Sequence, residues 1–526
     1  MNRRIQALLV AVLLLGLTTA ADAVTRGGKM VYARYADSLF LDPVLNDANV
    51  DIWILTNLYD TLLQPTADGK GVNPVLATAY TVSDDGLTFT LTLRQGTKFS
   101  DGSAITADDV KWNLDRARNP KEGILNFILE SIDSVEIKDP QTIVLHLKHP
   151  DPTLAAGLAT FNTAILPMKL FEATPGATED DKAKAFAEHP VGSGPFMFDS
   201  WQRGTQLVIK RNPYYWQMGE DGKPLPYLDE VDFPIIPDDA TRILKLQAGE
   251  VDGAELIPYA RVHELQADPN LNMVLFPSTK IEFITMNVRP TLKDGSPNPL
   301  ADARVRQALN YAVDKPALIK VVTFDVGKPT VSFMSSATPL VYDNGPAYPY
   351  DPAKAKDLLK AAGVPDGAEI HSLALAGSAD ETAILSTLQQ MWGAVGIKLV
   401  IDQVDNATRT AKYRAGDFQM RCSLWTDDIA DPSEITSYAA DFRNIQSLHS
   451  GYENKDIEGW YDAGQKEPDP AKRGDLYKQI QQAYMADAPI IFLYQSPYPV
   501  ALRKSVKGFN QIPLGNNIFS GAYIEK

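Results

Sequence analysis

The chain of 526 residues contains one cysteine, Cys422, so no intrachain disulfide can form. Beyond its first 23 residues it has no stretch of about 18 or more apolar residues, which excludes an internal spanning helix of ordinary length. There are only six histidines. The one close pair, His146 and His149, falls on an alternating strand that turns the two rings to opposite faces, a poor geometry for a shared metal. His-Glu-x-x-His, the phosphate-cradling Gly-x-x-x-x-Gly-Lys, the dinucleotide fingerprint and Ser-x-x-Lys are all missing. Gly192-Ser193-Gly194 lacks the spacing of a nucleophile elbow and reads as a turn. The acid pairs Asp84-Asp85, Asp108-Asp109 and Asp238-Asp239 sit at expected turns or helix starts, where capping accounts for them. Cys422 lies in an apolar strand and reads as a small buried hydrophobe. No metal or cofactor is expected, and a secreted hydrolase is left without an assembled nucleophile and base.

Basic surface is scarce as well. Lys and Arg number 50 against 66 Asp and Glu, a net charge of −16, which argues against nucleic acid or anionic lipid as the main partner. The first 23 residues read as an export signal: Arg3 and Arg4, an apolar run from Ala7 to Leu17, and Ala21-Asp22-Ala23 as the cleavage pattern. Cleavage there leaves Val24 first and 503 residues carrying −17. With no cysteine at that site to carry lipid, the expectation is a free, monomeric periplasmic protein. That length exceeds one hydrophobic core, so two or three lobes are expected.

Strands and helices are legible along the chain. Lys29 to Tyr35 suits a strand, and Asn49 to Leu63 a helix with Ile52, Leu55, Leu58 and Tyr59 on one face. After the turn Ser83-Asp84-Asp85-Gly86, residues Leu87, Phe89, Leu91 and Leu93 alternate with polar ones. Thr106-Ala107-Asp108-Asp109 resembles a capping arrangement for a helix to Arg118, and a hairpin is expected over Val135 to Leu147. Later, strands at Ile370 to Leu375 and Lys398 to Val404 flank a helix from Asp380 to Val395, the unit of an α/β layer. Gln419 to Trp425 is the next strand. It opens into Trp425-Thr426-Asp427-Asp428-Ile429-Ala430-Asp431, at a strand's carboxyl end, where open α/β sheets place ligands. A flat apolar ring beside fixed carboxylates suits an ammonium-bearing ligand. An acidic surface loop capped by a core tryptophan is the plainer reading of the same residues.

Several ordered motifs resemble the family 5 solute-binding proteins, the dipeptide, oligopeptide and nickel receptors of ABC importers. They are Val82-Ser83-Asp84-Asp85-Gly86-Leu87-Thr88-Phe89-Thr90, Phe99-Ser100-Asp101-Gly102, Thr106-Ala107-Asp108-Asp109-Val110, Gly192-Ser193-Gly194-Pro195-Phe196, Arg211-Asn212-Pro213-Tyr214-Tyr215-Trp216, Ala248-Gly249-Glu250-Val251-Asp252 and Arg304-Val305-Arg306-Gln307-Ala308. The resemblance implies an α/β fold of the periplasmic-binding-protein type II kind. Two α/β lobes are joined by a two-crossing hinge, near Ile281 to Arg289 and Ile490 to Val500, and a small lobe is inserted in the first. On this chain lobe I covers 24–285 and 500–526, with the insert at 66–189, and lobe II covers 286–499.

It further implies a non-enzymatic periplasmic receptor that closes on a small solute, a peptide being favoured, and passes it to an ABC permease in the inner membrane. Oligosaccharide, opine and metal-chelate receptors share the fold and stay open as alternatives. In peptide receptors of this family an aspartate three residues after a tryptophan meets the peptide's amino terminus, a spacing that lands on Trp425 and Asp428, with Thr426 and Asp427 between them. Oligopeptide receptors can carry an arginine three before the tryptophan. Here Cys422 stands there, and Arg421, one position off, should face the other way. Arg421, Tyr35, Asn287 and Tyr494 complete the candidate ligand contacts.

Overall fold

A computed structural model describes residues 24–342, 344 and 348–525; the expected export signal lies outside them. Two sheets carry the architecture. The first has seven strands, in the order Leu271–Phe276, Tyr498–Arg503, Gly253–Ala254, Lys29–Ala33, Glu230–Pro234, Gln206–Arg211 and Phe196–Gln202. The second has six: Lys328–Pro329, Ile490–Gln495, Ile281–Met286, Met420–Trp425, Ala368–Leu375 and Ile397–Val404. Ala368–Leu375 pairs in parallel with Ile397–Val404 across the helix Ala379–Gly393, the strand, helix, strand unit read from the sequence.

Helices cover both faces of the second sheet. On one face Ile284, Met286, Met420 and Cys422 pack with Val305, Leu309, Leu318, Leu385 and Trp392. On the other, Ile281 and Phe283 pack with Ile435, Ile457, Tyr477 and Tyr484. Cys422 is buried, and burial raises its thiol pKa far above the ordinary value, which suits the small hydrophobe expected. No helix among the described residues is long and apolar enough to cross a membrane.

A four-stranded antiparallel sheet, Ala77–Val82, Thr88–Leu93, Thr142–Leu147 and Ile132–Asp139, forms the insert. Phe89, Leu91 and Leu93 are buried, as their alternation requires, and Thr106 and Asp109 form a reciprocal capping box at the helix Ala107–Ala117. The insert does not stand alone: Leu91, Phe99 and Leu145 belong to one apolar core with Met30, Tyr32 and Phe233 of the first sheet.

The chain passes from the first sheet to the second between Phe276 and Ile281, and returns between Gln495 and Tyr498. The first passage comes a few residues before the expected Ile281 to Arg289, because Ile281–Met286 is already a strand of the second sheet. The two passages touch. Ser278 Oγ donates to the Ser496 carbonyl, and Ser496 N donates to the Lys280 carbonyl at 3.3 Å.

Tertiary contact shortens the helix expected over Asn49 to Leu63, which ends at Leu58. The Leu58 carbonyl accepts from Gly194 N at 2.9 Å, and Asp60 N donates to Ser193 Oγ at 3.1 Å. The bend at residues 191–196 therefore lies directly against the helix end. Its glycines are required by that approach: a Cβ on Gly192 would stand 2.0 Å from the Leu58 carbonyl oxygen.

Candidate functional site

Trp425 ends its strand opposite Ile281, and the chain then runs through the acidic stretch into the helix Ser433–Ala440. Its ring centroid is 4.9 Å from that of Tyr438 on this helix, with the planes at 44°. Each of the three carboxylates has a different environment. Asp427, only 1% exposed, accepts from Trp425 Nε1 at 2.8 Å and from Thr338 Oγ1 at 2.7 Å. Its backbone N–H donates to Thr279 Oγ1 at 2.9 Å, a residue of the first passage between the sheets. Asp431 is held by the Arg473 guanidinium through two bonds, 2.7 and 2.8 Å, a buried bidentate pair.

Asp428 has neither kind of partner. Among the described residues no cation reaches its carboxylate; its backbone N–H donates to Glu434 Oε2 at 2.9 Å, and the Glu434 carboxyl is its side-chain hydrogen-bond partner. Burial, and then the charge of Asp47 from the first lobe, push its pKa up to about 7 against the lowering effect of the hydrogen bond with Glu434. Burial also pushes Asp427 up to about 7. Glu434 is raised well above the carboxylate range by burial and then by Asp428 and Asp427. Four acids thus converge without a cation, three from the second lobe and Asp47 from the first. Such a cluster favours an incoming positive charge.

The acidic stretch touches both lobes. Ile429 joins the core of the first lobe, and Ala430 packs with Ala156, Ile512 and Leu514. Tyr498, on the returning strand, lies near Asp428 and Asp427, with Trp53 edge-on to it at 6.2 Å and Tyr35 6.3 Å beyond Trp53.

Of the candidates read from the sequence, Trp425, Thr426, Asp427 and Asp428 lie together at the loop, Thr426 half-buried between its neighbours. Tyr35 is on the first lobe, half-buried, its N–H on Glu255 Oε1 at 3.3 Å, and reaches the cluster only through Trp53 and Tyr498. Arg421 faces away from the core that holds Cys422, as alternation requires. It sits four residues, about 13 Å, down the strand from Trp425. Its guanidinium lies 4.1 Å from the Tyr413 ring centroid, and its Nε donates to the Cys422 carbonyl at 3.0 Å. Asn287 follows the opposite end of the paired strand; buried, it donates to the Gly416 and Phe418 carbonyls and holds that turn. Tyr494 is buried on the other face of the sheet, with Ile284 and Cys422. Asp47, Glu434, Tyr438 and Tyr498 were not among the sequence candidates. Only Glu434 leaves a local signal, an acid in the first helical turn just after Pro432.

Residues 71–446 match the model of bacterial extracellular solute-binding proteins, family 5 Middle. The glutathione-binding protein GsiB of Salmonella typhi is 32% identical over 513 residues, covering 96% of each chain. The chain belongs to family 5 of the bacterial extracellular solute-binding proteins. This family 5 protein superposes on DppA of Helicobacter pylori, solved with the peptide STSA, at a TM-score of 0.79 and 25% identity, covering 95% of this chain and 99% of that one. It superposes on AgaA of A. tumefaciens R10, solved with agropinic acid, at 0.76 and 26% identity, covering 95% and 99%. The two-lobe type II architecture expected from the sequence is therefore established, and the protein is a solute receptor that serves an ABC permease. The family is one of binding proteins.

Proposed function

We propose that this family 5 protein is a monomeric periplasmic receptor for a peptide or similar small solute with a free ammonium end, released from a leader at residues 1–23. The ammonium meets Asp428, and Trp425 with Tyr438 supplies the aromatic wall. One observation carries the reading: of the three carboxylates after Trp425, Asp427 is met by neutral donors and Asp431 by a guanidinium, while Asp428 alone faces only another acid, Glu434, with no cation to balance them. An ammonium there gains a charge-assisted bond and relieves the repulsion among Asp428, Glu434 and Asp47. We place the lobe boundaries at the two passages between the sheets and the inserted lobe at about residues 66–189.

Glutathione and the peptide STSA each carry a free amino terminus, and two relatives of this chain are a glutathione-binding protein and a receptor solved with STSA. The experiment is mass spectrometry of the solute that co-purifies, together with a thermal-shift screen of peptides, glutathione, opines and saccharides. A ligand at 100 times its dissociation constant stabilises the fold by about 2.7 kcal/mol. Shifts with amine-bearing solutes that vanish in Asp428→Asn support the reading. Shifts with neutral saccharides alone overturn it.

A further inference from the structure

A cavity of about 420 Å³ lies between the inserted lobe and the second lobe, and Glu434 belongs to its wall. The space therefore backs directly onto the Asp428 site. Glu434 is 5% exposed; its Oε2 accepts from the backbone N–H groups of Asp428 and Ile429, its carboxyl meets that of Asp428, and no cation reaches it among the described residues.

The rest of the wall has two characters. Phe127, Ile128, Ile429 and Tyr461 give it an apolar length, and Phe127 is 40% exposed with nothing packed over it. Its charges do not balance. Arg443 is fully taken up by Asp441 and Asp462 through four bonds of 2.7 to 3.0 Å, and its single charge offsets one of those two acids. Asp151 is met only by neutral donors, Ser131 Oγ at 2.6 Å and Thr153 N and Oγ1 at 2.8 and 2.7 Å. The Glu130 carboxylate meets His149 Nε2 at 3.2 Å, and Lys148 Nζ donates to the Glu130 carbonyl at 2.6 Å. Against Glu130, Asp151 and Glu434 the wall offers the His149 imidazole and Lys466, which is exposed and in no ion pair among the described residues.

We propose that this cavity receives the first side chain of the solute and selects a long basic one, its aliphatic stem along Phe127, Ile128 and Tyr461 and its cationic tip toward Glu130 and Asp151. Lysine and arginine stems cover apolar surface while their heads stay with charge and water, which is the order of features along this wall. The inserted lobe then takes part in choosing the solute. The inference rests on the ammonium reading, since that contact brings the first side chain to Glu434.

Calorimetry on the full mature protein with three tripeptides tests it: lysyl-alanyl-alanine, norleucyl-alanyl-alanine and glutamyl-alanyl-alanine. The backbone and ammonium are common to all three, so only the side chain differs. The lysyl peptide is expected to bind at least tenfold tighter than the norleucyl one, and the glutamyl peptide weakest. Glu130→Gln, at an exposed position outside the core, is expected to cut the lysyl preference to threefold or less. Equal or tighter binding of the norleucyl peptide overturns the inference, as does a preference unmoved by both Glu130→Gln and Asp151→Asn. If none of the three binds while other amine-bearing solutes do, this inference alone falls; if only solutes without an amine bind, the ammonium reading falls and takes this inference with it.

Discussion

The indole N–H of Trp425 donates to Asp427 Oδ1 at 2.8 Å, two residues along the same chain, and fixes the ring against Tyr438. Asp427 thus positions the aromatic ring, beside the Asp428 that we propose as the solute contact. Trp425→Phe keeps a ring but removes the donor, leaving a buried carboxylate oxygen unmet. A loss of about 1 to 3 kcal/mol of stability is expected in urea unfolding, with Asp427 titrating higher still because the lost bond was lowering its pKa.

Asp428→Asn separates ligand binding from folding. Affinity for amine-bearing solutes should fall by about 1.5 to 3 kcal/mol, roughly 10- to 150-fold, by calorimetry. The melting temperature of the ligand-free protein should hold or rise, since the substitution removes one of several facing negative charges.

The pH dependence has opposite signs with and without ligand. Asp427 and Asp428 have folded-state pKa values raised to about 7, so the folded chain binds more protons than the unfolded one between about pH 4 and 7. Their contribution to stability is complete at the low end of this window and declines as pH rises through it, by at most about 1.4 kcal/mol per unit for each group. The ligand-free protein should melt lower at pH 8 than at pH 5. Affinity for a cationic solute should rise over the same interval, because the solute requires the ionised carboxylates. Melting curves and titrations at four or five pH values check both signs.

Arg473→Met strands Asp431, buried without its cation, and should cost about 3 to 5 kcal/mol. Adding Asp431→Leu should recover most of that loss, because two apolar side chains leave no buried charge unpaired. Urea unfolding of the single and double variants decides it.

Gly192→Ala places a methyl carbon 2.0 Å from the Leu58 carbonyl oxygen, a backbone atom that cannot swing aside. A cost of about 3 kcal/mol or more is expected, visible as a lower urea midpoint.

Local rules wrote much of the fold into the sequence. The alternation of Phe89, Leu91 and Leu93, the capping residues Thr106 and Asp109, and the strand, helix, strand run from Ala368 to Val404 each act over a few residues. The helix end at Leu58 was hidden because Ser193 and Gly194, more than 130 positions away, fix it. The helix Asn406–Arg414 left no apolar periodicity, since it has no buried residue. At the site, the ring and acids after Trp425 were legible as a group. Which acid faces only another acid was not, because Thr338 lies 89 positions from Asp427 and Arg473 lies 42 from Asp431. Asp47 was invisible for the same reason: it meets Asp428 only once the two lobes are packed together.

Thr279 has a mechanical meaning. It sits in the first passage between the sheets, accepts the Asp427 N–H through its hydroxyl, and donates its own N–H to the Pro513 carbonyl of the first lobe at 2.9 Å. With Ser278 and Lys280 bonded across to Ser496, the two passages form one narrow junction, and the proposed site at Asp428 begins one residue past the Asp427 N–H that is bonded to it. A push applied so near a pivot moves the loop little and the outer rims of the lobes a great deal. If the proposed contact at Asp428 holds, a local displacement there becomes a wide sweep at the edges a permease would feel.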